Sequence, residues 1–384
     1  MNEIAVISNG ILTLVSSNGT TEQHDSDFGA DIERRVEEIT QKKAWKQNPA
    51  GMFGTDETWG NQAGQIHLKP RLVSVVAGLE PGHFSYILTT EKVGAFLKFD
   101  SDEDYETRVF HKENFFASEL DRDPKSKLLL CRVGQGNGPS QIARMNPEGR
   151  DLEALTEGDS SDGAPSWDRA QEDSILYHSA GLAYDNHGYP IGTSPYRIER
   201  LQLKKQKLKT ILESETQDFL CPRSDKDGNL YYITRPYEGP SGTKPPILTT
   251  IKDTLLFPFR LVRAFVDFFQ MFSHIVSQKP LSTAGGPKKN GPEPVALWIH
   301  GRLLKPEKES SDGALAPASW KLIKKNSEGE ESTLASRVVS YDLNDKGEII
   351  YSDGRNLKKL VAGQSKQIAK IALTEEVCWL TTQP

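Results

Sequence analysis

The sequence predicts an all-β protein, a six-bladed β-propeller of four-stranded blades, and three observations lead to this prediction. A phrase of four strand-like segments recurs along the 384 residues. Turn dipeptides such as Asn9-Gly10 and Asp353-Gly354 separate neighbouring segments, as in β-hairpins whose turn positions take positive φ. The two ends of the chain supply the parts of one more copy, and joining them would close a ring with few exposed sheet edges.

The copies can be followed in order, with their strands denoted a to d. Complete copies begin at Leu72, Phe115, Ala164, Asp218 and Arg337. The fourth copy is interrupted between its b and c strands by a long insertion. In the sixth copy the a strand is expected at 375–382 and the b, c and d strands at 3–8, 11–17 and 20–25. Six copies predict six blades in a single domain, residues 1–384.

Composition limits the classes of partner. The chain is 36% hydrophobic and has a formal net charge of −6, so it can bury a large core but has no general electrostatic attraction for phosphate backbones. We therefore expect no nucleic-acid partner. The three cysteines, Cys131, Cys221 and Cys378, are odd in number and far apart, which favours buried free thiols and a reducing compartment. The N-terminus lacks the pattern of a signal peptide, so a cytoplasmic location is expected.

The run "IARMNPEGRDLEALTEGDSSDGAPSW" resembles the TolB-type propeller repeat. Its matching residues are Gly149, Leu155, Thr156, Pro165 and Trp167, and the Asp-Gly turn of that family is echoed at Ser224, Asp227 and Gly228 and at Asp345 and Gly347. The resemblance covers about half of the chain, without the signal peptide or the N-terminal α/β domain of TolB. It implies a propeller and a tendency to bind proteins.

The long insertions are predicted to share one face. In an antiparallel blade the b-to-c and d-to-a connections emerge on the same side, and residues 26–70, 181–195 and 237–317 are such connections. Long loops often carry function, so this face is the expected working face. In the first insertion Ile32, Val36 and Ile39 recur at helical spacing, which predicts a short helix that packs over the channel mouth or contacts a partner.

The insertion 237–317 contains a strongly apolar segment, for which an amphipathic helix over 254–277 is predicted at about 100° per residue. The predicted membrane- or partner-binding residues are Phe257, Phe259, Leu261, Val262, Phe265, Val266, Phe268, Phe269, Met271, Phe272 and Ile275. The polar stripe of the helix consists of Arg260, Arg263, Asp267, Gln270 and His274.

Three roles are open for this helix. Its three central charges outweigh the insertion energy of the apolar residues, so a lone membrane-spanning helix is not expected. The helix could lie in a membrane interface with its polar stripe in water, bind a partner protein or a second copy of the chain, or pack on its own propeller. Pro-, Gly- and Lys-rich flanks behave as tethers, which favours the first two roles.

No strong catalytic motif is present, and neither a cofactor nor a metal is expected. Asp100, Asp102 and Asp104 have calcium-loop spacing, but Tyr105 replaces the glycine of such a loop, so a solvated c-to-d turn is predicted. The sequence therefore favours a non-enzymatic interaction scaffold. The alternative is a propeller hydrolase or lactonase with a metal in the central channel, or the regulatory propeller of a peptidase system; sequence alone cannot show whether side chains converge there.

Overall fold

The computed structural model describes residues 2–47, 69–134, 138–184, 187, 190–239, 296–305 and 313–380. The chain divides into two compact units. The first comprises Met1–Asp31, Pro70–Pro240 and Pro294–Pro384 and holds all of the described strands; the second comprises Ile32–Lys69 and Ser241–Glu293. The predicted helix 254–277, with its apolar face and polar stripe, lies outside the described residues.

The described part of the chain consists mainly of short β-strands. In chain order its elements are β1 (Asn2–Ser8), β2 (Ile11–Ser16), β3 (Thr21–His24), α1 (Asp27–Gln47), β4 (Arg71–Ala77), β5 (His83–Thr89), β6 (Val93–Asp100), β7 (Tyr105–Glu113), β8 (Ala117–Arg122), β9 (Leu129–Gly134), β10 (Ser140–Met145), β11 (Glu153–Ala154), β12 (Ser160–Trp167), β13 (Ser174–Tyr184), β14 (Pro190–Thr193), β15 (Arg197–Gln202), β16 (Lys207–Leu212), β17 (Gln217–Ser224), β18 (Leu230–Pro236), β19 (Leu297–Ile299), β20 (Arg302–Leu304), β21 (Lys321–Lys325), β22 (Glu331–Ser336), β23 (Ser340–Leu343), β24 (Ile349–Ser352), β25 (Asn356–Val361), β26 (Gln364–Lys370) and β27 (Thr374–Trp379).

These strands pair antiparallel in the order that the sequence predicts. Sheet 1 has the order β27-β1-β2-β3, sheet 2 is β4 to β7, sheet 5 has the order β17-β18-β21-β22, and sheet 6 is β23 to β26. Strands β8 to β16 form one nine-stranded sheet, in which sheet 3 (β8 to β11) and sheet 4 (β12 to β16) are joined by a single parallel pair, Ser140 with Ser161. A separate two-stranded hairpin, β19–β20, lies within the second insertion.

The two ends of the chain share sheet 1. Ile4 pairs with Trp379 and Val6 with Val377, and β1 continues through the Asn9-Gly10 turn into β2. Both turn residues have positive φ, 50° and 76°, as the hairpin requires. The sheet built from both termini is therefore confirmed.

The core lies between consecutive sheets. One buried cluster joins sheets 2 and 3, and others join sheets 3 and 4, 4 and 5, 5 and 6, and 6 and 1. The first strands also contact one another in order, β4 with β8, β8 with β12, β12 with β17, and β23 with β27, which contacts β4. Sheets 5 and 6 are linked where the Tyr341 hydroxyl donates to the Cys221 carbonyl at 2.7 Å. The number of blades stays a prediction, since sheets 3 and 4 share hydrogen bonding.

The insertions begin at the predicted links, β3 to β4, β13 to β15 and β18 to β21. The predicted helix in the first of them is confirmed as α1, although Ile39 on its expected packing face is 53% exposed. The sequence did not predict β14 or the β19–β20 hairpin, and the expected strand at 151–157 shortens to two residues, β11. Among the described residues no helix is long and apolar enough to cross a membrane.

Candidate functional site: the central cavity

The first strands of the six sheets converge on one cavity of about 730 Å³. Its lining comes from β4, β8, β12, β17, β23 and β27, and from parts of β9, β13, β14, β18 and the β19–β20 hairpin toward the side where the insertions leave. A cavity of this size can hold a small organic ligand. Reactive or binding side chains from several strands can therefore meet in this cavity, which the sequence alone could not show.

Three neighbouring lining strands carry the same backbone irregularity. The pairing register shifts between Ser118 and Asp121 in β8, and β12 and β17 have equivalent bulges. At these bulges Glu119, Ala164 and Cys221 have φ values of 56°, 44° and 52°. Positive φ costs a non-glycine residue about 1 to 3 kcal/mol, and a bulge redirects the nearby side chains. The strain is concentrated where these strands line the cavity.

Arg223 lines the deeper part of the cavity and belongs to a charge network, the Arg223 cluster, formed by Arg223, Asp121 and Asp342. Arg223 Nη1 lies 3.2 Å from Asp121 Oδ1, and its Nε lies 3.3 Å from Asp342 Oδ1. The second oxygens accept backbone N–H groups from the next sheets, Trp167 at 2.8 Å and Trp379 at 2.7 Å. Burial alone would lower the pKa of Arg223, but Asp342 and Asp121 raise it above its ordinary value. With these two backbone contacts, the cluster ties strands of five sheets together.

Nearer the mouth lies a second group of side chains, the histidine pocket, formed by Arg132, His178, Cys221, Arg235 and His300. The Cys221 N–H donates to His178 Nδ1 at 3.2 Å, so the proton of the neutral imidazole sits on Nε2. His300 Nε2 lies 3.2 Å from the Val339 carbonyl oxygen and 3.6 Å from Cys221 Sγ.

A glycine makes room for this arrangement. A Cβ on Gly163 would lie 2.7 Å from His178 Nε2 and 3.1 Å from Glu119 Oε2, closer than a methyl group tolerates. The same Glu119 oxygen accepts the Ala164 N–H at 2.6 Å. Gly163 therefore lets an imidazole and a carboxylate approach the same point on strand β12.

The two imidazoles and the thiol of the pocket, and the nearby Glu376 carboxyl group, stay uncharged near neutral pH. Burial, then the positive charge of Arg235, lowers the pKa of His300 to about 4, and burial with His300, Arg132 and Arg235 lowers that of His178 well below its ordinary value. Burial raises the pKa of the Cys221 thiol to about 12. Burial also raises the pKa of Glu376, which accepts hydrogen bonds from Ser74 and Val75, to about 8. Thus Cys221 and His300 lie close together as thiol and imidazole, not as an activated ion pair.

At the mouth, Arg302 on the β19–β20 hairpin joins the two ends of the second insertion. It forms an ion pair with Glu238 at 2.9 Å, donates to the Pro236 carbonyl at 2.6 Å and reaches Asp218 at 3.3 Å. We name this set the Arg302 clamp. Beside it, Trp298 lines the mouth and is 41% exposed. The clamp fixes the point at which the insertion leaves and rejoins the propeller.

One further group of side chains among the described residues has metal-ligand geometry, on the outer part of sheet 2. Ligand atoms of His83, Asp100 and Asp102 lie within 4.8 Å of one another. Asp100 Oδ1 also accepts the Asp102 N–H at 2.9 Å, within the turn between β6 and β7. The predicted c-to-d turn is therefore confirmed at this position, and Asp104 does not join the group.

None of the site residues predicted from the sequence, all in 254–277, falls among the described residues. The cavity residues were missed because they lie far apart in the chain; Cys221 and His300 are 79 positions apart. A usable signal was present in the repeat. Aligning Ala164-Pro165-Ser166 with Cys221-Pro222-Arg223 would have matched the bulge positions and pointed to one level of the channel.

Comparisons with known proteins agree with this architecture. No protein-family model matches the sequence, and a comparison with curated proteins found no match. Among solved structures, TolB from Acinetobacter baumannii is similar with a TM-score of 0.50 and 11% identity over 99% of this chain and 66% of that one. A chain from the nidogen/laminin complex is similar with a TM-score of 0.50 and 6% identity, with 100% of both chains covered. The chain thus spans about two thirds of the TolB chain's length. These likenesses define the class of protein, a β-propeller.

Proposed function

We propose that this propeller is a non-enzymatic interaction scaffold that displays the segment 254–277 for binding to a membrane surface or a partner protein. The observation that carries the proposal is the Arg302 clamp. It holds Glu238, on the outgoing arm of the insertion, against the hairpin on which the chain returns. The clamp brings the described ends of the insertion together at the cavity face, which supports a role for the insertion in contacting another surface.

Two further features support binding over catalysis. The exposed Trp298 at the mouth is a side chain type enriched at binding interfaces. In the cavity Cys221 lies beside His300, and its raised pKa leaves it a poor nucleophile at neutral pH.

We further propose that the repeat is of the TolB type, on the basis of the residues quoted above. We also propose that the protein is located in the cytoplasm, at the inner face of a membrane. The solved structures named in the comparison include TolB and a nidogen/laminin complex. A complex of two proteins is consistent with a protein-binding role for the fold.

Vesicle flotation tests the proposal. The full chain is mixed with phosphatidylcholine vesicles, with and without phosphatidylserine, and compared with the variant Phe265→Glu, Phe269→Glu. The matched control, Gln270→Glu with His274→Glu, adds the same two charges on the predicted polar stripe. We expect the wild type and the control to float and the Phe variant to remain in solution, because an interfacial helix buries only its apolar face.

A protein-binding role gives a different result. If the segment joins two copies, light scattering should show a wild-type oligomer that the Phe265→Glu, Phe269→Glu variant dissociates and the control retains. A wild type that does not float, is monomeric and has the same solution behaviour as the Phe variant would overturn the displayed-segment proposal.

A further inference from the structure

The strongest unexplained feature of the cavity is Arg132. Its side chain lines the cavity from β9, yet its guanidinium makes no hydrogen bond or ion pair with any other described residue. The other arginines of the lining differ: Arg223, Arg235 and Arg302 each contact at least one carboxylate. Arg132 is partly buried, so it keeps some of its hydration, but no carboxylate among the described residues compensates its charge.

A second observation lies next to it. Arg235 is only 2% exposed; its Nε binds Asp218 at 2.8 Å and its Nη2 donates to the His300 carbonyl at 2.7 Å. Its third nitrogen, Nη1, is buried and has no hydrogen-bond partner. Buried donors of this kind are rare and call for a physical explanation.

The two arginines act on the same space. Arg132 and Arg235 both lower the pKa of His178 and of His300, which means that the positive potential of both reaches the imidazoles. Neutral donors surround that space: the His178 Nε2–H, and the hydroxyls of Tyr196 and Ser161, which lie 3.3 Å apart and also line the cavity. A positive charge with N–H and O–H donors is the environment that binds an anion.

The unpaired guanidinium of Arg132 selects an anionic group on the ligand. Asp218 holds Arg235 and Arg302, and the Arg223 cluster is already paired. One cationic charge, Arg132, is left without a counterion. Glu119 also lines the cavity; among the described residues its Oε2 accepts the Ala164 N–H, and its Oε1 has no hydrogen bond, so the carboxylate can accept a further donor. A planar guanidinium matches a carboxylate in two parallel hydrogen bonds.

The geometry points to a ligand site in the histidine pocket for a carboxylate that carries a hydroxyl, ammonium or amide donor on the adjacent carbon, with Arg132 as the anchor of the carboxylate and Glu119 as the acceptor for the donor. Small hydroxy acids, amino acids and the C-terminal residue of a peptide share this chemistry. The site goes beyond the proposed scaffold role and does not depend on the segment 254–277.

Calorimetric titration of the full chain tests the site with four probes: L-lactate, L-alanine, trialanine with a free carboxyl group, and trialanine amide. We expect at least one free carboxylate to bind. Binding of lactate or alanine indicates a small-molecule ligand, whereas binding of free trialanine alone indicates a peptide terminus. Trialanine amide should not bind, because it lacks the anion.

The variant Arg132→Gln should weaken binding at least tenfold, because the anchoring charge is removed. Arg144→Gln is the matched control, since Arg144 lies on the adjacent strand and pairs with Glu153 outside the cavity; it should bind like the wild type. Thermal unfolding of both variants shows whether they fold. The site is refuted if no free carboxylate binds the wild type, if the amide binds equally well, or if folded Arg132→Gln retains wild-type affinity.

Discussion

Buried charges are paired in the deep part of the cavity and partly unpaired in its outer part. In the Arg223 cluster, one arginine contacts two carboxylates, and each carboxylate also accepts a backbone N–H from a neighbouring sheet. In the histidine pocket, Arg132 has no counterion among the described residues and Arg235 keeps one nitrogen unbonded. Both parts lie in the same cavity, and both are lined by the bulged strands.

This difference distinguishes charged groups that stabilise the fold from charged groups that are available to bind a ligand. Fully paired groups on several strands hold those strands in register, so the Arg223 cluster has a sufficient structural explanation. In the histidine pocket, Arg235 binds Asp218 and stacks on the Trp320 ring, but its Nη1 has no hydrogen-bond partner, and Arg132 has no ion pair among the described residues. Groups that destabilise a fold without an internal reward are characteristic of binding sites.

The largest effect is expected at the Arg223 cluster. Arg223→Met leaves Asp121 and Asp342 buried without a counterion, which should lower the free energy of unfolding by about 3 to 5 kcal/mol. Denaturant unfolding measures the change. The control is the triple variant Arg223→Met, Asp121→Asn, Asp342→Asn, which removes all three charges and should recover most of the loss. A single variant as stable as the wild type would contradict the structural role of the cluster.

The next effect concerns Glu376, whose pKa is raised to about 8 by burial. The folded protein keeps this proton up to about pH 8, whereas the unfolded chain loses it near its ordinary pKa of 4.5. The stability that Glu376 contributes is therefore lost as pH rises from about 4.5 to 8.

The effect of Glu376 can be measured between about pH 6.5 and 8. His178 and His300 have lowered pKa values, so their contributions to the free energy of unfolding change with pH below about 6.5. Over the window from about pH 6.5 to 8 the wild type should lose about 1 to 2 kcal/mol. Glu376→Gln, which can still accept from Ser74 and Val75, should show a much flatter profile and match the wild type near pH 5. Equal slopes for the two proteins would show that Glu376 ionises normally.

A smaller and local effect is expected at the Arg302 clamp. Arg302→Gln removes the ion pair with Glu238, but Asp218 keeps its bond to Arg235. The global cost should be about 1 kcal/mol, while amide hydrogen exchange should accelerate in β19 and β20. Arg144→Gln, which breaks a comparable pair with Glu153, serves as the control and should leave the hairpin unchanged. Unchanged exchange in Arg302→Gln would mean that other contacts hold the insertion.

Sequence reasoning was strongest where the signal is local. The Asn9-Gly10 turn, the repeated strand order and the sheet shared by the two ends of the chain follow from turn chemistry and from the need to cover sheet edges. Each depends on a few neighbouring residues or on counting copies. The position of α1 was found for the same reason, since helical periodicity is also local.

The site depends on positions that only the ring brings together. His178 reaches Cys221 from the neighbouring sheet, and His300 comes from a hairpin inside an insertion that has no repeat pattern. The pKa values of these histidines are lowered by burial and by arginines that are far away along the chain. No spacing along the chain records such an environment, so the sequence predicted a role for the insertion but could not predict this pocket.

The smallest effect on stability is expected for substitution of Arg132. Its comparison with Arg223 is the most direct test of the difference between the two parts of the cavity. Arg132→Gln removes a charge that no described residue pairs with, so the free energy of unfolding should change by no more than about 0.5 kcal/mol. The comparison with Arg223→Met is a matched one, because both variants remove one arginine from the same cavity. Denaturant unfolding without added ligand measures both. A large loss in Arg132→Gln would show that Arg132 supports the fold, and the contrast between a structural cluster and a binding pocket would then fail.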